Sequence, residues 1–269
     1  MIKISNVTKI FDDFVALKNL NLCVEKGSIY GLVGLNGAGK TTLIKHLAGI
    51  FREDSGKILI DGQEVFDNEK LKSRIGYVPD DLYFFPQYNL AMLARFYAKL
   101  HANWNETRFE NLLAMLELDK KRRVGRFSKG MQKQAALALT LSTMPEVLLL
   151  DEPIDGLDPI VRSRIFNRII DDVADRKMTV LISSHNLKEM DGICDTVGII
   201  KKGKMLIERD LDDLKEEMKS VFEHSPPSLD EIFIYLHENE IHETNNIFSH
   251  EEKNIFPHET NREGGQKND

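Results

Sequence analysis

Gly34-Leu35-Asn36-Gly37-Ala38-Gly39-Lys40-Thr41-Thr42 is the stretch from which the rest of the sequence is read. Its spacing, G-x-x-x-x-G-K-T, is that of a phosphate-binding loop. Gly34, Gly37 and Gly39 let the main chain close around anionic oxygens with no Cβ in the way. Successive backbone N–H groups, from Leu35 through Thr42, then point inward as an anion nest. Lys40 adds a compact positive charge able to reach the terminal phosphates of a nucleotide. The Thr41 hydroxyl is a hard oxygen ligand of the kind Mg²⁺ takes. The flanks agree with this reading. Residues 28–33 form a short apolar strand candidate, and residues 41–50 carry Leu43, Ile44, Leu47 and Ala48 at helical spacing. Strand, glycine loop and helix in this order place a phosphate at a helix N-terminus.

Composition bounds the rest. The chain has 269 residues, 42% hydrophobic and 29% charged, enough to bury a core in one large or two small domains. A net charge of −7 argues against a sequence-independent nucleic-acid binder, which carries a basic face. Cys23 and Cys194 lie far apart without metal-ligand spacing and read as reduced core cysteines. Lys3 and Lys9 interrupt any leader-like apolar segment at the N-terminus. No apolar run approaches the roughly 18 residues that cross a bilayer, so membrane work would need another chain to span it.

The pattern around the loop reads as α/β. Residues 2–10, 14–24 and 58–63 suggest a small antiparallel sheet, the last with an Asp61-Gly62 hairpin turn. Residues 75–79 form a strand stopped by Pro79 and followed by Asp80. From 89 to 118 the pattern is helical, with a break at 101–103, and an apolar helix follows at 135–141. This is a helical insertion between strands. Lys120-Lys121-Arg122-Arg123, Arg126, Lys129 and Lys133 make a basic run read as a solvated, phosphate-facing surface. Val147-Leu148-Leu149-Leu150 is a buried parallel strand that delivers Asp151 and Glu152 at its C-terminal end, where open α/β sheets bind ligands. Asp158-Pro159 starts a helix as N-cap and first residue, with Ile165, Ile169, Ile170 and Val173 as its apolar face. A strand at 178–182 ends in Ser183-Ser184-His185, a hairpin flanks Lys202-Gly203, and a charged helix begins at Leu211. Ser228 and Glu231 form a capping box for a last helix. Residues 241–269 hold six acids, three bases and few large apolar residues, and read as a polar disordered tail in which His242, His250 and His258 recur at intervals of eight.

These motifs together resemble the ATP-binding subunit of an ABC transporter over residues 2–236. Residues 34–42 look like the Walker A loop and residues 147–151 like Walker B. Glu152 stands in the place of the catalytic glutamate, and Phe127-Ser128-Lys129-Gly130-Met131 resembles the family signature. Residues 154–158 resemble the D-loop. His185 stands at the switch histidine and Phe11 where an aromatic ring stacks on adenine.

The resemblance implies a P-loop NTPase core with a mainly parallel sheet, an antiparallel β subdomain and an inserted α-helical subdomain. The cassette would be residues 1–210, with the helical insertion at about 86–145, a helical extension at 211–240 and the tail at 241–269. It implies ATP and Mg²⁺, with Thr41 and Asp151 holding the metal, Lys40 neutralising charge and Glu152 acting as general base. Ser128 and Gly130 would bind the γ-phosphate held by a second cassette. Asp80 stands where the family usually has Gln. A carboxylate there is a hard ligand, so Asp80 is expected among the metal and nucleotide contacts and at the hinge into the helical insertion. Lys129 and Met131 replace the usual signature Gly and Gln. The implied partners are a separate transmembrane permease and a second cassette. The protein would sit on the inner face of the cell membrane through that permease. The short chain with its terminal helix resembles export subunits more than import subunits. The alternative reading is a soluble ATPase of the same family acting on ribosomes or DNA; one cassette per chain and the absence of a sustained heptad run speak against it.

Overall fold

The structure is a computed structural model that describes residues 1–222 and 227–238. The tail expected at 241–269, with its three histidines, lies outside the described residues.

The chain opens with β1 (Ile2–Phe11) and β2 (Phe14–Val24), followed by β3 (Ile29–Val33), α1 (Lys40–Leu47), β4 (Ser55–Ile60), β5 (Gln63–Glu64), α2 (Glu69–Lys72) and β6 (Ile75–Val78). Three helices come next: α3 (Leu90–Leu100), α4 (Glu106–Met115) and α5 (Lys129–Ser142). Then follow β7 (Val147–Asp151), α6 (Pro159–Arg176), β8 (Thr179–Ser184), α7 (Leu187–Met190), β9 (Thr196–Lys201), β10 (Lys204–Asp210), α8 (Leu211–Met218) and α9 (Leu229–Glu238). The larger sheet has the order β10-β9-β3-β8-β7-β6, parallel except for β10 at its edge. The smaller sheet, β2-β1-β4-β5, is antiparallel throughout. This is the expected mainly parallel P-loop core with an antiparallel sheet beside it and three helices inserted between β6 and β7.

The apolar strands explain the layering. Side chains alternate across a strand, and a strand covered on both faces is apolar throughout. In β7, Leu148 and Leu150 enter the core that faces α3–α6, while Val147 and Leu149 enter the core shared with α1 and the smaller sheet. β3 does the same with Ile29 and Val33 on one side and Tyr30 and Leu32 on the other. Each fully buried Leu or Ile contributes roughly 1.5–3 kcal/mol by leaving water, so this double coverage fixes the central strands and, with them, the loops at their ends. Leu214, Met218, Leu229 and Ile232 of α8 and α9 are buried in the same core as Met190.

Local signals work as the residues dictate. Asp61 and Gly62 both take left-handed backbone, φ 51 and 74, to turn β4 into β5. The Asp158 carboxylate accepts from the amides of Ile160 and Val161 to cap α6, with Pro159 at its first position. Ser228 and Glu231 exchange hydrogen bonds as a capping box, Glu231 Oε2 accepting from Ser228 N at 2.8 Å and Ser228 Oγ accepting from Glu231 N at 3.3 Å.

Two expectations are corrected. Ile170 is exposed, because the inward stripe of α6 runs through Ile165, Phe166, Ile169 and Asp172 instead. Lys133 is buried, whereas the basic run containing it reads as solvated. The inward Asp172 carboxylate accepts a hydrogen bond from the buried Arg108 of α4, which also donates through Nε to Leu141 O at 3.0 Å. Arg168 and Arg176 complete the cluster at 3.4 and 3.2 Å. It ties an inserted helix to the core.

Candidate active site

Four strands of the larger sheet end at one place. β3 runs into the loop 34–39, β7 into Asp151 and Glu152, β8 into Ser183, Ser184 and His185, and β6 towards Asp80. The parallel direction of these strands brings the four C-terminal ends to the same edge.

The loop has the geometry its glycines allow. Gly37 and Gly39 have φ of 78° and 112°, both left-handed. A Cβ on Gly34 would lie 2.5 Å from Ile200 O, so the loop can pass β9 only with glycine there. Leu35, Asn36 and Gly37 are exposed at the crest, Ala38 is buried beneath it, and Lys40 to Leu47 form α1 behind it, with Thr41 and Thr42 in its first turn. Lys40 is 6% exposed, and its Nζ donates to Gly34 O at 2.7 Å.

The carboxylates meet this lysine. Glu152 is buried, with its backbone in the left-handed region at φ 46, a conformation that costs a non-glycine residue about 1–3 kcal/mol and marks functional positions. Its amide donates to Ser183 O and Ser183 Oγ at 3.2 and 3.1 Å. Its Oε1 lies 3.3 Å from Lys40 Nζ, and its Oε2 accepts from His185 Nδ1 at 2.9 Å. Asp151 is 1% exposed; Ser183 Oγ donates to its Oδ1 at 2.7 Å, and its Oδ2 is buried without a partner. Burial raises the pKa of the Asp151 carboxyl, against the Ser183 hydrogen bond and the nearby Thr41 hydroxyl, which favour the charged form. Tyr77 in β6 is pushed up to about 12, first by burial and then by the charges of Asp151 and Asp80.

The structure therefore gathers Lys40, Thr41, Asp151, Glu152 and His185 in one set of contacts. Asp155 of the following loop joins it, offering a carboxylate oxygen within 4.8 Å of ligand atoms of Glu152 and His185. Phe11 sits at the tip of the β1–β2 hairpin, edge-on to Phe51 at 5.3 Å between ring centroids and partly exposed. Ser128 is the N-cap of α5, its Oγ accepting from Met131 N at 3.2 Å. Gly130 passes so close to the loop after β7 that a Cβ would lie 2.6 Å from Gly156 O. Asp80 is exposed, and its Oδ1 accepts from Lys133 Nζ at 3.1 Å.

Sequence reasoning missed Ser183 as a ligand of both carboxylate residues, and Lys133. Lys133 Nζ also donates to Glu152 O at 2.6 Å. A signal for it exists. Lys133 precedes Ala136 by three residues and Leu137 by four, so it shares the inward face of α5.

Comparison with known proteins agrees with this geometry. The family model "ABC transporter" matches residues 17–155. The chain is 34% identical to the ABC transporter ATP-binding protein YtrB of Bacillus subtilis, over 81% of this chain and 74% of that one. It is also 34% identical to the bacitracin transport ATP-binding protein BcrA of Bacillus licheniformis, over 93% of this chain and 85% of that one. Among solved structures, an ATP-binding subunit of an ABC transporter superposes with a TM-score of 0.79 at 26% identity, covering 88% of this chain and 99% of that one. A dimeric bacterial ABC transporter cassette shares the fold at a TM-score of 0.71 and 23% identity, covering 78% of this chain and 99% of that one. With a phosphate loop, a buried carboxylate pair and a histidine at one sheet edge, and with relatives matched over most of its length, the chain belongs to the ABC transporter family as an ATP-binding, ATP-hydrolysing subunit.

Proposed function

We propose that this subunit powers an exporter, closing head to tail with a second cassette on ATP while a separate permease subunit crosses the membrane. No described helix is long and apolar enough to cross a bilayer, which leaves that task to the permease. In this reading residues 1–210 are the cassette, with a helical subdomain at about 86–145 and an extension at 211–240. The protein is held on the inner face of the cell membrane through its permease. The export role named for the Nod factor export ATP-binding protein I of Burkholderia lata, 35% identical over 76% of this chain and 68% of that one, supports export.

The reaction is hydrolysis of ATP to ADP and phosphate. Oxygen of water attacks the γ-phosphorus, and the bond to the bridging oxygen breaks. The loop amides from Leu35 to Thr42 cradle the phosphates and Lys40 supplies positive charge against them. Glu152 accepts the proton of the attacking water on its carboxylate. His185, bonded to that carboxylate, orients it and reports the loss of the γ-phosphate. Phe11 stacks on adenine, and Ser128 and Gly130 complete the γ-phosphate site of the second cassette. The residues fit Mg²⁺: the unpartnered, buried Asp151 Oδ2 and the Thr41 hydroxyl beside it are hard oxygen donors. Held by Asp151 and Thr41, a Mg²⁺ ion would supply charge screening for the phosphate oxygens.

The observation that carries the reading is Glu152, held in strained backbone between Lys40 and His185. Glu152→Gln keeps the shape but loses the base. Its ATPase rate falls by roughly 10²-fold or more, as losing a general base requires. ATP affinity stays, and an ATP-bound dimer accumulates by light scattering. A near-normal rate in this variant removes Glu152 from the mechanism.

A further inference from the structure

Three chain segments meet at one buried ammonium. Lys133 lies on α5, the helix that the signature residues begin, and is 8% exposed. Its Nζ donates to the main-chain carbonyl of Glu152 at 2.6 Å and to Asp80 Oδ1, just past the end of β6, at 3.1 Å. The contact is to the backbone of the residue that carries the base. It is also a direct contact from an inserted helix to the catalytic turn.

The need for such a tether follows from the backbone. Glu152 holds φ at 46, which persists only where its surroundings over-determine it. Its amide is fixed from β8 by Ser183, its carboxylate by Lys40 and His185, and its carbonyl by Lys133. Removing the first two sets of bonds would disturb the catalytic residues themselves. Lys133 is the member of the set that belongs to another subdomain. A lysine buried to this degree needs a counter-charge, and Asp80 supplies it. This accounts for an acid at 80. The carboxylate belongs to a pair with Lys133, in which an amide would leave the ammonium without its counter-charge.

We propose that Lys133, with Asp80 as its counter-ion, is a positioning residue that holds Glu152 in its catalytic backbone conformation and couples the signature helix to it. The proposal rests on Glu152 being the general base. When α5 moves, the carbonyl of Glu152 moves with it, so the carboxylate is aligned only when the helical insertion is seated. Asp80 sits at the exit of β6 and makes the same link sensitive to the start of the insertion.

The test is steady-state ATPase and ATP binding by the full-length protein. Lys133→Met should lower kcat roughly 10- to 100-fold, the loss expected when a reacting group is misplaced by about 1 Å, with the ATP Kd unchanged within about twofold. Lys133→Arg, which keeps charge and donors, should recover much of the rate. Hydrogen–deuterium exchange should rise in the peptide spanning 151–158 and stay unchanged in the loop 34–42. In a double-mutant cycle, Asp80→Asn should lower kcat severalfold alone and add little in the Lys133→Met background. Lys133→Met should likewise add little to Glu152→Gln. If Lys133→Met does not fold, Lys133→Gln, which buries a neutral amide, carries the same comparison. A wild-type kcat in a folded Lys133 variant overturns the proposal, as does an equal loss of rate and ATP affinity. Multiplicative losses in the double variant, with a shifted Mg²⁺ requirement for Asp80→Asn alone, place Asp80 on the metal and also overturn it. Failure of the underlying reading looks different, because there Glu152→Gln itself keeps its rate.

Discussion

His46 shows how one ring nitrogen ties stability to pH. It lies in α1 behind the phosphate loop, 1% exposed, with Nδ1 2.7 Å from Thr42 O. A carbonyl only accepts, so Nδ1 carries the proton and Nε2 is left as a buried lone pair without a partner. Burial lowers the pKa of His46 from 6.5, with the Lys9 charge acting in the same direction and the bond to Thr42 opposing it. The unfolded chain therefore binds this proton more readily than the folded one. The stabilising contribution is complete above about 6.5 and is lost as pH falls through that value towards the folded pKa. Melting temperature should drop between pH 7.5 and 5.5, and His46→Gln should make that drop shallower. His101 and His237 are lowered by burial as well, so part of the slope remains. An identical slope in His46→Gln removes His46 as its source. At this scale the sequence was legible wherever chemistry forces a spacing. Lys40, Thr41, Asp151 and Glu152 stand at fixed offsets from a glycine loop or a strand end. Lys133 obeys no such offset. Its role comes from the packing of α5 beside β6, which brings Lys133 to Asp80 and to the Glu152 carbonyl; the helical spacing marks its inward face but not these partners.

Elements carry a second class of information, which faces they bury, and here the reading reaches the caps but not the partners. The N-caps Asp158 and Ser228 were legible because capping is local. The partner of Asp172 was not. An acid in the inward stripe with Ile165 and Ile169 signals a buried ion pair, yet nothing local says that Arg108, 64 residues away, will meet it. The pair links α4 to α6, and a buried pair broken on one side leaves an uncompensated charge costing about 3–5 kcal/mol. Asp172→Asn should cost about that much, since it strands Arg108 beside Arg168 and Arg176. Arg108→Met should cost less, because Asp172 keeps the other two guanidiniums. Urea melts of the two variants check the order. A smaller loss for Asp172→Asn than for Arg108→Met contradicts the arrangement. The error at Ile170 has the same origin, for α6 rotates to bring Phe166 and Asp172 inward.

Among the described residues, exposed apolar side chains gather on α3 and in the segment leading into it. Met92, Phe96 and Leu100 of α3 are 45%, 55% and 60% exposed at intervals of four, so they line one face of the helix. In the segment leading into α3, Tyr83 and Phe85 are 79% and 53% exposed, packed edge to face at 5.7 Å. Apolar surface gathered in this way marks a protein or membrane contact rather than a free face. Asp80 lies three residues before Tyr83, which places the surface at the end of the chain segment leaving the active site. A permease docked here would feel the nucleotide state through that segment. Phe96→Ser combined with Tyr83→Ser should reduce co-purification of the integral membrane partner from detergent extracts by tenfold or more. Both residues are exposed, so stability should change by no more than about 0.5 kcal/mol, and the isolated ATPase rate should stay within about twofold. Ile234→Ser, which alters an equally exposed residue on α9, should keep the partner. Retention of the permease by the double variant, or its loss with Ile234→Ser alone, moves the docking surface away from α3.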